Sequence, residues 1–322
     1  MTLHVSPDNF GRAESDLYFG NIVGGDGFGA LHHFRELSPV DEQLVIRQNR
    51  DTLYSAGVFD LDAGPVTVTL PDSAGRFMSL QVITEDHYVP AVVYAPAELT
   101  ITRADAGTRY IATALRTLVD PDDAADLAAV HALQDAIAVS QPGGPGSFAV
   151  PDWDPVSQKT VRDALITLST TVPDSLRTFG EKTEVDPVRH LIGTAYAWGG
   201  NPERDAFYLS VVPVANDGAT VHRLVVKDVP VDGFWSVTVY DKSGYFAPNP
   251  QNAYSVNNIT AVREADGSTI IGFGGEQGPN LLPITDGWNY IVRLYRPRPE
   301  ILDGTWTFPA AQPVEGRAAS RP

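Results

Sequence analysis

Val66-Thr67-Val68-Thr69-Leu70 alternates apolar and hydroxyl side chains, and Pro71-Asp72-Ser73-Ala74-Gly75 follows at once. A period of two predicts a strand with one buried face. The Pro/Asp/Ser/Gly cluster predicts the turn that closes it. Residues 77–83 then resume an apolar, β-branched run and predict the next strand. Working outward, runs of the same kind at 44–46, 56–59, 91–94, 99–102 and 110–114 predict further short strands. The pattern returns at 207–214, 221–226, 234–240, 269–273 and 290–295, with hairpin-type turns at Asn216-Asp217-Gly218 and Asp266-Gly267. Strands this short and regularly spaced suggest antiparallel sandwiches or jelly rolls.

Three stretches break the β pattern. Residues 8–37 predict a helix, with Phe10, Leu17, Tyr18, Ile22 and Val23 at helical spacing and Asp8 as N-cap, interrupted at Gly24-Gly25-Asp26-Gly27. Residues 121–141 carry Leu127, Val130, Leu133, Gln134 and Ile137 on one stripe, before Pro142-Gly143-Gly144-Pro145-Gly146 stops the helix. Asp154-Pro155 opens another, with Val161, Ala164, Leu165 and Leu168 expected inward. The expected fold class is mainly β with helical insertions: two antiparallel β-sandwich or jelly-roll-like domains joined by a helical connector. The expected boundaries are 1–118 for the N-terminal helix and β domain, 119–190 for the connector and 191–322 for the C-terminal domain. Residues 315–322 are expected to fray.

Composition narrows the chemistry. The 322 residues carry 23 Lys+Arg against 40 Asp+Glu, a formal charge of −17, with 43% hydrophobic and 20% charged residues. That balance supports a large core and argues against a nucleic-acid or anionic-membrane partner. The absence of cysteine excludes disulfides, zinc–thiolate sites, iron–sulfur clusters and cysteine nucleophiles within this chain. With 28 Gly and 25 Pro, about a sixth of the residues favour turns. No basic and apolar leader opens the sequence and no apolar run approaches the roughly 20 residues of a membrane helix, so a cytoplasmic location is expected.

Several segments also resemble a known bacterial family as whole phrases. Asn49-Arg50-Asp51-Thr52-Leu53-Tyr54-Ser55 and Glu85-Asp86-His87-Tyr88-Val89-Pro90 resemble domain of unknown function 1254. Gly233-Phe234-Trp235-Ser236-Val237-Thr238-Val239-Tyr240-Asp241 resembles its usual C-terminal companion, domain of unknown function 1214, as do Asn249 to Val256, Arg293 to Pro297 and Leu302 to Trp306. The resemblance implies paired β-sandwich domains with helical insertions. It implies no single reaction, although members are sometimes labelled hydrolase-like.

The residues themselves offer weak signals only. There is no phosphate-cradling GxxxxGK[ST], no HExxH, and Gly144-Pro145-Gly146-Ser147-Phe148 is not a nucleophile elbow. His33 and Glu36, if helical, share a face at i,i+3 and suit metal ligation or acid–base work; a helix end serving the dipole is the alternative. Glu85, Asp86, His87 and Tyr88 form the densest polar cluster, with alternation sending Glu85 and His87 to one face. An Asp–His bond closing a turn is its structural alternative. Arg50 can bind a substrate carboxylate and Asp51 can orient a histidine, with Tyr54 nearby, or Arg50 can be a buried strut. Asn249, Asn252, Asn257 and Tyr254 suit ligand contacts or turns, whereas Trp235 and Tyr240 are expected to fill the core.

The expected function is a small-molecule enzyme of hydrolase or lyase type. His87, His33, Glu36, Asp86, Glu85 and Asp51 are its catalytic candidates, and Arg50, Tyr54, Tyr88, Asn249, Asn252 and Tyr254 its substrate-binding candidates. No nucleotide cofactor is expected, and a divalent metal or a homo-oligomer is compatible with the sequence. The alternative is a non-catalytic β-sandwich that binds a small molecule or carbohydrate.

Overall fold

The computed structural model describes residues 2–43, 47–275 and 278–314; the expected strand at 44–46 and the expected frayed tail at 315–322 lie outside them. The described residues are mainly β, with sixteen strands in four sheets and six α-helices. The chain forms two compact units, and both are discontinuous. Residues 1–36 and 52–205 make the first; residues 37–51 and 206–322 make the second. The segment expected as a connector therefore packs within the first unit.

In the first unit a five-stranded antiparallel sheet runs in the order His32–His33, Thr52–Asp60, Tyr110–Leu118, Met78–Thr84, Ala91–Tyr94. A smaller sheet has Val66–Leu70 at its centre, flanked by Ala97–Ile101 and Ala138–Ser140. The Val-Thr-Val-Thr-Leu alternation buries Val66, Val68 and Leu70 in one core with Phe59, Met78, Leu80, Val82, Ile111 and Leu115. The pleat sends the alternate residues Val58, Ile83 and Ala112 to the other face, against Phe19 of the helix Phe10–Gly24. That helix packs with Pro155–Ser169 and Pro187–Tyr196 through Phe10, Ala13, Leu165, Ile192 and Ala195.

The helices differ in detail from the sequence pattern. The first begins after Asn9 rather than Asp8 and ends at Gly24. Asp154 does cap its helix, accepting from the Val156 and Ser157 amides. Of its expected inward residues, Leu165 is buried but Ala164 and Leu168 are exposed. Pro187–Tyr196, capped by Asp186, had no expectation. The 121–141 pattern resolves into the helix Ala124–Asp135 and the strand Ala138–Ser140.

In the second unit the strands Ser255–Asn257, Trp235–Tyr240, Asn289–Tyr295 and Ala206–Val211 form an antiparallel sheet. A second sheet orders Leu281–Leu282, Thr269–Phe273, His222–Val226 and Gln312–Pro313. Between them lie Trp235, Val237, Val239, Tyr290, Val292 and Leu294 from one side, with Leu224, Val226, Ile271 and Phe273 from the other. This is sandwich packing.

Two glycines give opposite expectations. A Cβ on Gly143 would sit 1.6 Å from the Ala63 carbonyl oxygen, whereas one on Gly20, within the first helix, meets nothing within 4 Å. Gly143→Ala should lower unfolding free energy by about 1–3 kcal/mol through overpacking. Gly20→Ala should raise it by roughly 0.5–1 kcal/mol. Urea titration of both variants checks the signs, and equal effects would contradict this placement.

Candidate functional site

The expected His33–Glu36 helical face does not form. His32 and His33 are in a strand, where His33 Nδ1 lies 2.7 Å from Ser55 Oγ, and Glu36 is in an exposed bend. Burial, with Arg35 adding to it, lowers the His33 pKa.

His87 sits in a turn just past the strand Met78–Thr84, at φ +64°. The alternation is nonetheless kept in burial: Glu85 and His87 are buried, Asp86 and Tyr88 partly so. His87 Nε2 accepts the Gly199 amide at 2.8 Å. Its proton is therefore on Nδ1, 2.8 Å from Thr194 Oγ1, which itself donates to the His190 carbonyl. Both nitrogens are occupied and the ring is fully buried. Burial, then His190, drives its pKa well below the ordinary value. The ring lies within a stacked column, Tyr88–His190–His87–Trp198–Tyr18, with centroid spacings of 4.6, 5.4, 5.6 and 4.4 Å. The assignment of His87 as base or metal ligand is thus corrected: it is a neutral strut. It shares no hydrogen-bond partner or ring contact with His33. Tyr88 serves the same column.

Glu85 accepts the Tyr110 amide at 2.9 Å and faces Arg12 at 3.7 Å, while Asp86 takes two hydrogen bonds from Arg12. Neither carboxylate touches a His87 ring nitrogen. Beside them is a carboxylate with no expectation, Asp16. It accepts from Trp153 Nε1 at 2.8 Å, and its other oxygen is buried without a partner among the described residues. Burial pushes its pKa up to about 6 against the Trp153 hydrogen bond, and Glu85 adds to the rise. Tyr54 lies under the Arg116 guanidinium, 5.4 Å from its ring centroid. A groove of about 400 Å³ near His4, Pro7, Val156 and Thr160 is mostly apolar and holds none of these groups.

The second unit gathers more. Its strands Trp235–Tyr240 and Asn289–Tyr295 are buried at every residue, although alternation predicts one solvated face. The second face is polar and covered. Register puts Ser236 beside Asn257 and Arg293, and Thr238 beside Ser255. The segment 47–51 lies over them. Tyr240 Oη donates to the Gln48 carbonyl at 2.6 Å, and Arg293 Nη2 donates to the Arg47 and Gln48 carbonyls. Asp51 Oδ1 accepts from Ser255 Oγ at 2.7 Å and Asn257 Nδ2 at 3.1 Å. Asp51 therefore binds a serine and an amide, not the histidine it was expected to orient. Its Oδ2 is buried without a partner among the described residues, as are Ser236 Oγ, Gln48 Oε1 and Asn258 Oδ1.

Three binding candidates adjoin this face. Arg50 lies over the Phe246 and Tyr254 rings at 5.8 and 5.4 Å and bonds the Ser38 carbonyl. Tyr254 is buried with Tyr240, Phe246 and Ile291. The Asn249 amide ties its own turn through Ala247 and Ala253, and Asn252 is exposed in a left-handed turn conformation. Among the described residues no three His, Asp or Glu side chains group as a metal would need.

The phrases that converge here are those of the family resemblance. Residues 28–89 match the model of a protein of unknown function, DUF1254, and residues 214–299 that of a second, DUF1214. The chain combines these two domains. No curated protein matches it. Among solved structures it is similar to the VPA0106 protein from Vibrio parahaemolyticus, at 18% identity and TM-score 0.71, covering 96% of this chain and 98% of that one. A putative uncharacterized protein from Burkholderia cenocepacia is similar at 13% identity and TM-score 0.53, covering 95% and 86%. At these identities the DUF1254–DUF1214 chain shares a fold with them.

Sequence reasoning missed Ser236, Gln48 and Arg293 as site residues. Arg293 did carry a signal, a lone cation inside the apolar run Tyr290-Ile291-Val292-Arg293-Leu294.

His87 and Asp16 predict opposite pH effects. His87 titrates below its unfolded value of about 6.5, so its contribution is full above that pH and lost as pH falls. Asp16 titrates near 6 against about 3.9 unfolded, so its contribution is present below about pH 4 and lost as pH rises through 6. Asp16→Asn should therefore gain stability relative to wild type between pH 4 and 6. Urea midpoints at pH 4.5 and 7.0 measure this, and a pH-independent difference would contradict it. In nitrogen NMR, His87 should show the neutral Nδ1–H tautomer at pH 7.

Proposed function

We propose that the protein is a cytoplasmic small-molecule enzyme of hydrolase or lyase type, with Asp51 as its acid–base group. The observation that carries this reading is the Asp51 carboxylate itself. One oxygen is fixed by Ser255 and Asn257, and the other is buried without a partner among the described residues. A carboxylate held by one oxygen keeps its orientation, and the second has no protein hydrogen bond to break before it accepts a proton. The buried Arg293 guanidinium, against Tyr240 Oη at 2.7 Å, supplies positive potential to a developing anion. His87, His33 and Glu36 take no part in this reading, and no nucleotide cofactor is required by it.

The second reading is a binding module without catalysis. It is favoured by the lack of a second buried acid beside Asp51 among the described residues of this face. Asp51→Asn keeps the shape and removes the base. With wild type screened against nitrophenyl esters, lactones and hydroxy-carboxylates by absorbance and mass spectrometry, the variant should lose about 10²–10⁴-fold in turnover. Undiminished turnover would remove Asp51 from the chemistry. Binding without turnover in wild type would favour the module.

A further inference from the structure

Two guanidiniums share the polar face of the second unit. Arg293 is almost wholly buried. It donates to Thr238 Oγ1 at 2.9 Å, to Tyr240 Oη at 2.7 Å and to the carbonyls of Arg47 and Gln48 at 2.8 and 3.3 Å. Every one of these oxygens is neutral. Burial keeps the Tyr240 phenol above its ordinary pKa, so it does not cancel the charge. Arg47 is partly buried, and its guanidinium reaches Ser210 Oγ at 3.4 Å. Among the described residues no carboxylate lies within ion-pair distance of either group. Arg76, Arg109 and Arg162, by contrast, each hold an acid.

Asp51 acts on Arg293 from beyond contact distance. Arg47 and Arg293 thus set two cations against that one anion in partly desolvated surroundings, with Arg50 adjoining, within a chain of net charge −17. Burial, reinforced by Arg293, lowers the Arg47 pKa. Such a charge is costly without a counter-anion. Ser210 is exposed, so the Arg47 end of the face is open to solvent.

We propose that Arg47, with Ser210 beside it and Arg293 behind it, binds the carboxylate of a small organic monoanion. The guanidinium fork fits a planar carboxylate by two parallel hydrogen bonds. The repulsive field of an acidic protein favours a monoanion over a phosphate dianion. The proposal does not rest on the Asp51 reading: Ser210 is on the strand Ala206–Val211 and the partners of Asp51 are on Ser255–Asn257, at opposite edges of the sheet.

Sodium benzoate is the probe, with inorganic phosphate and ionic-strength-matched sodium chloride as comparisons, on the full chain by thermal shift and calorimetry. Benzoate should raise the melting temperature saturably, with Kd below about 1 mM. Phosphate should bind on the order of tenfold more weakly, and chloride should give no saturable shift. Arg47→Gln should weaken benzoate on the order of tenfold or more, and Arg47→Lys should fall between. Both variants should fold, because among the described residues the Arg47 side chain hydrogen-bonds only Ser210. Asp51→Asn should bind benzoate at least as well as wild type, which separates failure of binding from failure of turnover. A shift no larger than that of chloride, or one unchanged in Arg47→Gln, overturns the proposal.

Discussion

The second unit depends on how one buried cation is solvated. Arg293 cannot shed its charge, and it stands in the middle of a strand with apolar neighbours on either side. Water does not reach it, so oxygen atoms must. Thr238 and Tyr240 supply two from the adjacent strand, and the backbone of residues 47 and 48 supplies the rest. The cover segment is thus chosen by hydrogen bonding rather than by apolar area. Asp51 then extends the same network to Ser255 and Asn257. A polar layer of this kind is sensitive to any change that leaves one member unmatched.

Much of the fold was legible because the pleat has a fixed period. Val66–Leu70, Ala91–Tyr94 and Thr269–Phe273 have the bounds that their patterns predict. The helices were less legible where capping and propensity compete with packing. His32-His33 reads as the end of a helix, but the strand Thr52–Asp60 offers it a partner that sequence does not reveal. Pro187–Tyr196 follows a loop, and its burial depends on two other helices.

The candidate site was legible in its members but not in its grouping. Asp51, Arg50 and Tyr254 were all singled out, and they occupy one unit despite their separation in sequence. Which atom bonds which is a tertiary fact. For His87 the sequence showed a histidine beside two acids. The deciding partners, Gly199 and Thr194, come from more than 100 residues away. A cluster in sequence and a cluster in space are different things when turns point neighbouring side chains in opposite directions.

The discontinuity of the two units has a consequence for synthesis. Residues 37–51 belong to the second unit, yet they emerge from the ribosome inside the first. Their hydrogen-bonding partners on the strands Trp235–Tyr240 and Asn289–Tyr295 are made only after the first unit. Until then the nascent chain carries an unmatched insert between His33 and Thr52, so the second unit cannot mature in simple N-to-C order. The first unit must tolerate that open loop, and the second must find it in place, which makes the late strands the step that locks the whole chain.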